Sequence, residues 1–388
     1  MSPTLLTLDT AVGLVALFWL EAGWSAWRGG RRLPSLAAGE PLPDEALPSL
    51  TIVATAKDEA ARVEGAARSL LAQNYPGARV LIVDDRSADD TGAILDRIAM
   101  ENPRLRVLHV RSLPEGWIGK CHALALAAES CDSDWILFTD GDVTISPDAA
   151  RRAVSLAVRG GHDHVAVGPE MLVEGLGEAI FVGSFLVIFN ASQKPWLASD
   201  PRRKNAIGVG AFNLVRRAAY VRAGGHERLK FELLDDMALG KIIKQSGGRQ
   251  TVARHAGLVR VRWHHGVGGL IRGIEKNAFP ATRYNVPMTL AAPPLQLLLA
   301  IGPYAGLFFP GILPRLFALL AWTGVFLAYH EASRNAPVRA WQGLLMPAGA
   351  LLFSYSLLRS MVVTLRQGGV RWRDTFYPLE ALKRGRIW

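Results

Sequence analysis

One stretch constrains the fold of this chain more than any other, the segment Trp135–Asp148 with the sequence WILFTDGDVTISPD. Its apolar start, Trp135–Phe138, has the length and composition of a buried strand, and two aspartates separated by a glycine follow. In an open α/β sheet, ligands bind outside the carboxyl ends of the strands. Asp140 and Asp142 are therefore expected at a binding edge, where a divalent metal carrying phosphates would relieve their mutual repulsion. Asp-Gly-Asp is also ordinary turn chemistry, so the motif alone leaves both interpretations open.

The residues around this stretch alternate between strand-like and helix-like patterns. Short β-rich or apolar runs predict strands at Leu50–Ala54, Val80–Val83, Leu105–Val110, Trp135–Phe138 and Val165–Val167. Helical patterns are found at Glu59–Leu71, Thr91–Met100, Cys121–Ala128, Ala149–Val158, Leu214–Gly225 and Met237–Gln245. This alternation predicts an α/β fold in which right-handed βαβ units form a mostly parallel, Rossmann-like sheet flanked by helices.

A second acidic cluster follows the predicted strand Val80–Val83. Asp84 and Asp85 come directly after it, ahead of Ser87 and Asp89, which can cap the next helix. A carboxylate at this edge of a sheet can accept hydrogen bonds from a ribose or from a base imide. Asp84 and Asp85 are therefore candidate nucleotide-binding residues.

A loop with two glycines, Leu113–Lys120, opens the helix Cys121–Ala128. Backbone N–H groups at the helix start, together with the Lys120 ammonium, form a plausible phosphate cradle. The loop is not a Walker A motif, and the pattern G-x-G-x-x-G is absent from the chain. These absences count against a kinase, an NTPase and a nicotinamide-dependent dehydrogenase. The sequence Gly208-Val-Gly210 instead predicts backbone that passes close to a ligand or to another strand.

A third acidic pair, Asp235-Asp236, stands at the head of the helix Met237–Gln245. An acid at a helix N-terminus is electrostatically favourable, so capping is one explanation of the pair. In the catalytic explanation, one of the two is a general base with a pKa tuned by its pocket. His264 and His265 come next. An exposed histidine pair is usually inert, but it can also complete a metal site or bind a diphosphate.

Apolar stretches towards both ends predict association with a membrane. Leu5–Trp27 has membrane-spanning length and precedes three arginines, which predicts an uncleaved anchor with the downstream chain in the cytoplasm. Glu21 leaves an interfacial amphipathic helix as the alternative. Three further apolar blocks are Thr289–Phe309, Leu313–Tyr329 and Leu344–Val363. A basic tail favours a cytoplasmic end, so one block is expected to be interfacial or re-entrant. The first block, which its prolines are expected to break, is the candidate.

Charge and cysteine content fit this organisation. The net charge of +10 is accompanied by no zinc-finger spacing or RNP-like aromatic pattern, so no nucleic-acid partner is predicted, and arginines beside apolar segments indicate attraction to anionic lipid. The two cysteines, Cys121 and Cys131, are predicted to be reduced core residues. The predicted organisation is an anchor at residues 1–28, a linker at 29–49, an α/β domain at 50–285, a membrane region at 286–365 and a basic cytoplasmic tail at 366–388.

Six segments, taken in order, resemble the inverting glycosyltransferases of family 2, which have a GT-A fold. They are Thr55–Glu59, Val83–Thr91 (VDDRSADDT), Gly116–Lys120 (GWIGK), Thr139–Val143 (TDGDV), Asp200–Phe212 (DPRRKNAIGVGAF) and Leu234–Gly240 (LDDMALG). The resemblance extends over about Leu50–Ala281. Within the family, the flanking membrane segments and the Gly-Trp-x-Gly-Lys loop are similar to those of enzymes of hopanoid, carotenoid and ceramide glycosylation.

The resemblance implies a donor site. Asp85, together with Asp84, would bind the uracil or the ribose of a nucleotide. Lys120 and Glu59 would also lie at the donor. A divalent metal, Mg²⁺ or Mn²⁺, would join the sugar nucleotide to the aspartates of the TDGDV segment, Asp140 and Asp142.

The resemblance also implies a catalytic acid pair. Asp236 matches the residue that deprotonates the acceptor hydroxyl, and Asp235 stands where a glutamate is commoner. The chain departs from the family in one respect. Many lipid and polysaccharide enzymes carry a Q-x-x-R-W motif, whereas Arg272–Asn277 (RGIEKN) occupies that region here.

The implied function is transfer of a sugar from a nucleotide-sugar donor, expected to be a UDP-sugar, to a lipid or polyprenoid hydroxyl at the cytoplasmic face of the inner membrane. A metal and a cationic loop would neutralise the leaving diphosphate while a carboxylate removes the acceptor proton, giving inversion. One alternative is a polysaccharide synthase, which the short membrane region and the missing motif disfavour. The other is a non-catalytic membrane scaffold with a sugar-nucleotide-binding fold, which has no need for acids at the mouth of the sheet.

Overall fold

The computed structural model describes residues 3–388, and the chain divides into two compact units. We call the first the helical unit; it contains the N-terminal residues through Arg32, Met171–Lys194 and Trp263–Phe376. We call the second the sheet unit; it contains Leu33–Glu170, Pro195–Arg262 and Tyr377–Trp388. Each unit is therefore assembled from segments that are far apart in sequence.

The strands are β1 (Leu50–Ala56), β2 (Arg79–Asp85), β3 (Leu105–Val110), β4 (Trp135–Asp140), β5 (Val143–Ile145), β6 (His164–Gly168), β7 (Glu170–Met171), β8 (Asn213–Arg216), β9 (Gln250–Arg254), β10 (Val259–Val261), β11 (Gly369–Trp372) and β12 (Thr375–Pro378). The α-helices are α1 (Pro3–Gly30), α2 (Val63–Leu71), α3 (Thr91–Glu101), α4 (Gly119–Glu129), α5 (Ala149–Gly160), α6 (Gly175–Gln193), α7 (Arg217–Ala223), α8 (Asp235–Gln245), α9 (Gly266–Ala281), α10 (Val286–Phe308), α11 (Ile312–Ala332), α12 (Met346–Gln367) and α13 (Leu379–Gly385).

The sheet unit is built on seven strands in the order β3-β2-β1-β4-β8-β6-β9. The first four are parallel neighbours, and β6 and β9 are parallel to each other. Strand β8 runs antiparallel to both of its neighbours, β4 and β6. The predicted α/β fold with a mostly parallel sheet is confirmed.

The central strands are almost continuously buried because helices cover both faces of the sheet. Successive residues of one strand enter opposite cores, since side chains alternate between the two faces. Ile52 of β1 packs with residues of α2 and α5, whereas Val53 packs with residues of α4 and α8. The helix α4 thus lies on the face that also carries α8. Cys121 and Cys131 are buried free thiols, as expected from the sequence.

The helical unit contains the long N-terminal helix α1 and most of the apolar helices. Within residues 3–388, four segments are long and apolar enough to cross a membrane: Gly175–Leu197, Val286–Phe308, Ile312–Ala332 and Ala340–Gln367. Large apolar side chains such as Leu295, Leu298 and Leu319 are exposed on these helices, which suits contact with lipid. The three predicted C-terminal blocks are confirmed as helices, and α10 continues through its prolines without a break.

Three local interpretations of the sequence differ from the structure. The Leu214–Gly225 pattern contains a strand, β8, before α7. Four residues, three of them buried, are too few for periodicity to separate a strand from a helix. Helix α7 ends at Gly224, which has φ 86°. The apolar run Ile180–Phe189 lies in α6 of the helical unit, inside the stretch predicted as one α/β domain. The tail at 366–388 contains β11, β12 and α13, and its last residues, Tyr377–Trp388, belong to the sheet unit.

Candidate active site

The strand register brings acidic residues that are distant in sequence to one edge of the sheet. Thr55 of β1 pairs with Asp140 at the end of β4, and Ala56 pairs with Asp84 at the end of β2. Because these strands are parallel, their carboxyl ends meet at the same edge. The residues that follow β2 and β4 therefore emerge at the same edge, on either side of β1, as the sequence predicted.

Lys120 is the centre of the site's charged cluster. It is the second residue of α4, and its Nζ lies 2.9 Å from Asp140 Oδ1 and 3.2 Å from Asp235 Oδ2. Asp235 is only 5% exposed, so its negative charge is compensated largely by this ammonium. The lysine thus joins the end of β4 to the start of α8.

Asp236, the neighbour of Asp235, is fixed by backbone hydrogen bonds. The Gly210 N–H donates to Asp236 Oδ2 at 2.8 Å, and the Met237 N–H donates to Oδ1 at 2.7 Å. Gly210 also accepts a hydrogen bond from the Asp140 N–H through its carbonyl oxygen at 2.9 Å. One glycine therefore links both acids, which explains the close backbone passage predicted for Gly208-Val-Gly210.

A buried polar network supports the segment Ile207–Gly210, which we call the glycine loop. The Asn213 side-chain oxygen accepts from the Val209 N–H at 3.1 Å, and the Gln250 side-chain oxygen accepts from the Ile207 N–H at 2.9 Å. His164, fully buried between Asn213 and Gln250, hydrogen-bonds to both. Burial lowers the pKa of His164 to about 4, so the ring is neutral at pH 7. The loop is thus held by a network whose polar groups are satisfied.

Burial and mutual repulsion raise the pKa values of the two acids at the head of α8. Burial raises the pKa of Asp235 to about 6, against the opposing effect of Lys120. The pKa of Asp236 is raised in the same direction by burial and by the Asp140 charge. For Lys120, burial acts to lower the pKa, but the surrounding carboxylates raise it well above its usual value. The lysine is therefore charged, and the acid pair is shifted towards the range useful for proton transfer.

Asp142 is influenced by two neighbouring carboxylates, those of Asp140 and Glu59. Burial, the Asp140 charge and the Glu59 charge together raise the pKa of Asp142 to about 6. Such a group of oxygen ligands is the chemistry that Mg²⁺ or Mn²⁺ prefers. Within residues 3–388, however, no three His, Cys, Asp or Glu side chains are placed to hold a metal ion by themselves. A metal ion at these carboxylates would therefore need further ligands, such as the oxygens of a bound phosphate.

The two aspartates at the end of β2 have different surroundings. Asp85 forms a bidentate pair with Arg86, at 2.7 and 2.9 Å, and a Cβ added to Gly119 would press against this pair. Asp85 is therefore next to the start of α4. Asp84 instead lies 3.0 Å from His109 Nδ1 and caps the turn at Ser87. Both Asp84 oxygens already have hydrogen-bond partners, the Ser87 N–H and the His109 ring. The role of Asp84 in nucleotide binding stays a prediction.

The structure thus brings together most of the residues singled out from the sequence. Lys120, Asp140, Asp235 and Asp236 line one small cavity of about 10 Å³, which is close to the size of one water molecule. His226 also lines it; burial, with a further contribution from Lys120, lowers the pKa of this histidine to about 3. No sequence motif marked His226, because an isolated histidine carries no pattern. His264 and His265 belong to the helical unit.

The glycine loop allows a direct test of the packing beneath Asp236. An alanine Cβ at Gly208 would overlap the Asp236 carbonyl oxygen, whereas one at Gly65 in α2 meets no atom within 4 Å. We expect Gly208→Ala to cost about 1–3 kcal/mol and to abolish most activity, because backbone on one side must move. Gly65→Ala is the matched control and should leave stability equal or slightly higher, since alanine favours a helix. Thermal unfolding measures both, and equal unfolding temperatures would contradict the packing described.

Part of the chain matches a known protein family. Residues 51–220 match the family description "Glycosyl transferase family 2". The chain is 25% identical over 347 residues to a 4,4'-diaponeurosporenoate glycosyltransferase of Staphylococcus aureus strain RF122 / ET3-1, covering 85% of this chain and 88% of that protein. The protein of the same name from strain MRSA252 is 24% identical over 348 residues, with the same coverage.

A mannosyltransferase from Pyrobaculum calidifontis, in complex with GDP-Man and Mn²⁺, is 19% identical and has a TM-score of 0.49, covering 89% of this chain and 99% of that one. The family match covers β1 through β8 and includes Asp85, Lys120 and Asp140. Residues 51–220 are therefore similar in sequence to glycosyltransferase family 2, and the chain as a whole is distantly similar to carotenoid glycosyltransferases.

Proposed function

We propose that this protein transfers a sugar from a nucleotide-sugar donor to an apolar acceptor at a membrane surface. The observation that carries the proposal is the meeting of Lys120 with Asp140 and Asp235 at the carboxyl edge of the sheet, beside Asp236. A scaffold without catalytic activity would have no reason to gather three carboxylates around one buried ammonium, since buried charge is costly.

The residues at this edge match the needs of a single displacement. The acceptor oxygen forms a bond to the anomeric carbon while the bond from that carbon to the diphosphate breaks, and its electron pair leaves with the diphosphate. A carboxylate has about four lone-pair positions, and backbone N–H groups occupy two of those on Asp236. Asp236 can therefore accept the proton of an acceptor hydroxyl. Lys120 places positive charge beside the site.

We propose that Asp140 and Asp142 hold a divalent metal, with Glu59 close by. The ion would supply positive charge opposite the diphosphate. The support is the pKa of Asp142, which burial and the neighbouring Asp140 and Glu59 charges raise to about 6. Donor oxygens are expected to complete the coordination. Asp85, beside Gly119, is the proposed contact to the nucleoside.

The acceptor is proposed to be a long apolar molecule that carries one polar end. The four apolar helices support this, and the S. aureus relatives are named for a carotenoid carboxylate. A hydroxyl acceptor must lose a proton during transfer, whereas a carboxylate acceptor is already ionised at pH 7. The two acceptor classes therefore place different demands on Asp236.

The sheet unit is proposed to lie on the cytoplasmic side of the inner membrane. The chain leaves this unit at Trp263 and returns to it at Tyr377, so an even number of membrane crossings must separate these points. The helices α10, α11 and α12 therefore cannot all cross. By the same reasoning α6, which begins and ends next to segments of the sheet unit, does not cross alone.

One experiment tests donor, metal and acceptor together. Purified protein in lipid vesicles is incubated with labelled sugar nucleotides and either a long-chain alcohol or a carboxylic acid of the same apolar length. We expect nucleoside diphosphate release that matches the label in extracted lipid and that stops when a chelator is added. If no sugar nucleotide gives release with either acceptor, the proposal is wrong. Label on the acid alone would assign the acceptor to the carboxylate class.

A further inference from the structure

The sheet unit is completed by residues from the far end of the chain, which we call the C-terminal segment (Tyr377–Trp388). Its helix α13 is anchored by Leu382, which is almost completely buried. The position of Gly385 lies so close to Phe231 that a Cβ there would overlap the phenylalanine side chain. The segment is thus packed against the residues that lead into α8.

The first polar attachment of the C-terminal segment is at the start of α4. The Gly119 N–H donates to the Tyr377 hydroxyl oxygen at 3.1 Å, and Tyr377 is 4% exposed. The first N–H groups of a helix have no partner within the helix, so this hydroxyl satisfies a group that would otherwise be buried without one. The next residue after Gly119 is Lys120. The hydroxyl therefore fixes the turn from which the lysine reaches Asp140 and Asp235.

The second attachment is at Glu232, three residues before Asp235. Glu232 is 3% exposed, and Oε2 accepts hydrogen bonds from the N–H groups of Ile387 at 2.7 Å and Trp388 at 2.8 Å. The other oxygen, Oε1, accepts from the Leu234 N–H at 3.2 Å. Lys241 of α8 donates to the Ile387 carbonyl oxygen at 2.7 Å.

The C-terminal segment thus supplies two of the three donors that stabilise this buried carboxylate. A buried carboxylate that loses its donors is strongly unfavourable, so the residues around it must rearrange. The backbone from Glu232 to Asp236 is short, and both acids at the head of α8 would move with it.

We propose that the C-terminal segment is a positioning element of the active site. It ties the start of α4, which carries Lys120, to the backbone that carries Asp235 and Asp236. Tyr377 and Glu232 are positioning residues, since their described polar contacts are to backbone N–H groups. The catalytic consequence rests on the proposed function, whereas the structural consequence does not.

The test uses three variants that each remove one attachment. Tyr377→Phe removes the hydroxyl oxygen that accepts from Gly119. Glu232→Gln replaces one of the accepting carboxylate oxygens by an NH₂ group, which cannot accept. Ile387→Pro removes the Ile387 N–H that donates to Glu232. The residue before Ile387, Arg386, has φ −68° and ψ 132°, which are compatible with a following proline. The matched control is Glu380→Gln on α13, whose side chain is 70% exposed and paired with Lys383.

Amide hydrogen exchange of the full-length protein gives a readout that needs no substrate. In Glu232→Gln and Ile387→Pro we expect exchange at residues 234–236 to accelerate by about tenfold or more, and in Tyr377→Phe we expect this at residues 119–120. The control should match the wild type. Unchanged exchange at these positions in folded variants overturns the proposal. Tyr377→Phe removes a single oxygen atom and keeps the test available should a more drastic variant fail to fold.

Kinetics separate positioning from general stabilisation. We expect Tyr377→Phe to raise the donor KM by a factor of about three to ten with a smaller change in kcat, because Lys120 is on the donor side. Glu232→Gln and Ile387→Pro should lower kcat by about ten- to a hundredfold, and the double variant should be no worse than the poorer single one. Glu232→Asp should recover part of the activity. Equal losses in kcat and KM for all variants, or additive losses in the double variant, overturn the proposal. If the wild type transfers no sugar while the exchange pattern is as expected, only the proposed function fails.

Discussion

Asp236→Asn is expected to lower kcat with a hydroxyl acceptor by about 10²–10⁴-fold, which is the usual contribution of a general base. The asparagine keeps the size of the side chain and one oxygen for the backbone N–H groups of Gly210 and Met237. It cannot accept a proton at neutral pH. Binding of the nucleotide sugar should therefore change little. The measurement is the steady-state rate of nucleoside diphosphate release, with donor affinity determined separately by titration.

The control for this prediction is Asp132→Asn, which changes an exposed aspartate paired with Arg79 and should leave kcat unaltered. The pH dependence provides a second check. Since burial raises the pKa of Asp236, the rate in the wild type should fall on acidification at a pH above the ordinary carboxyl value of about 4. A full rate in Asp236→Asn with a hydroxyl acceptor would show that another group removes the proton.

Lys120→Met is expected to abolish activity and to destabilise the sheet unit by about 3–5 kcal/mol, since removing one partner leaves buried charge without compensation. The lysine side chain is 17% exposed and is paired with both Asp140 and Asp235. Methionine is similar in length and lacks the charge, so the loss reports the ammonium itself. Thermal unfolding should show a decrease of roughly 10 °C for a unit of this size.

A double variant distinguishes charge from packing. In Lys120→Met with Asp235→Asn, one of the two orphaned carboxylates becomes neutral, so much of the lost stability should return while activity stays absent. The exposed ion pair of Arg68 with Glu64 offers the matched comparison, and Arg68→Met should have an effect below about 1 kcal/mol. If the double variant unfolds at the same temperature as Lys120→Met, the ion pair does not account for the loss.

Local sequence patterns predicted the part of the site that follows strands. Asp140 and Asp142 were identifiable because an apolar run ends abruptly in acids, and parallel register then places such ends at one edge. The lysine at the start of α4 was identifiable from its glycine-containing loop. These features depend on a few neighbouring residues, which is why they could be interpreted without coordinates.

The rest of the site depends on strand neighbours and hydrogen bonds between residues that are far apart in sequence, which no local pattern predicts. Strand β8 lies between β4 and β6 although it follows both in sequence, and its four residues have no distinctive period. Gln250 and Asn213 look like ordinary polar residues, but they support the glycine loop through buried hydrogen bonds. Glu232 finds two of its donors more than a hundred positions away, in Ile387 and Trp388. Only the folded chain shows these partners.

Residues Tyr377–Trp388 complete the sheet unit but are the last of the 388 residues to be synthesised. Every apolar helix of the helical unit is synthesised before these residues emerge. While the chain is still being synthesised, Glu232 lacks the N–H donors of Ile387 and Trp388, and the Gly119 N–H lacks the Tyr377 hydroxyl. The sheet unit can therefore be completed only after the apolar helices have been synthesised.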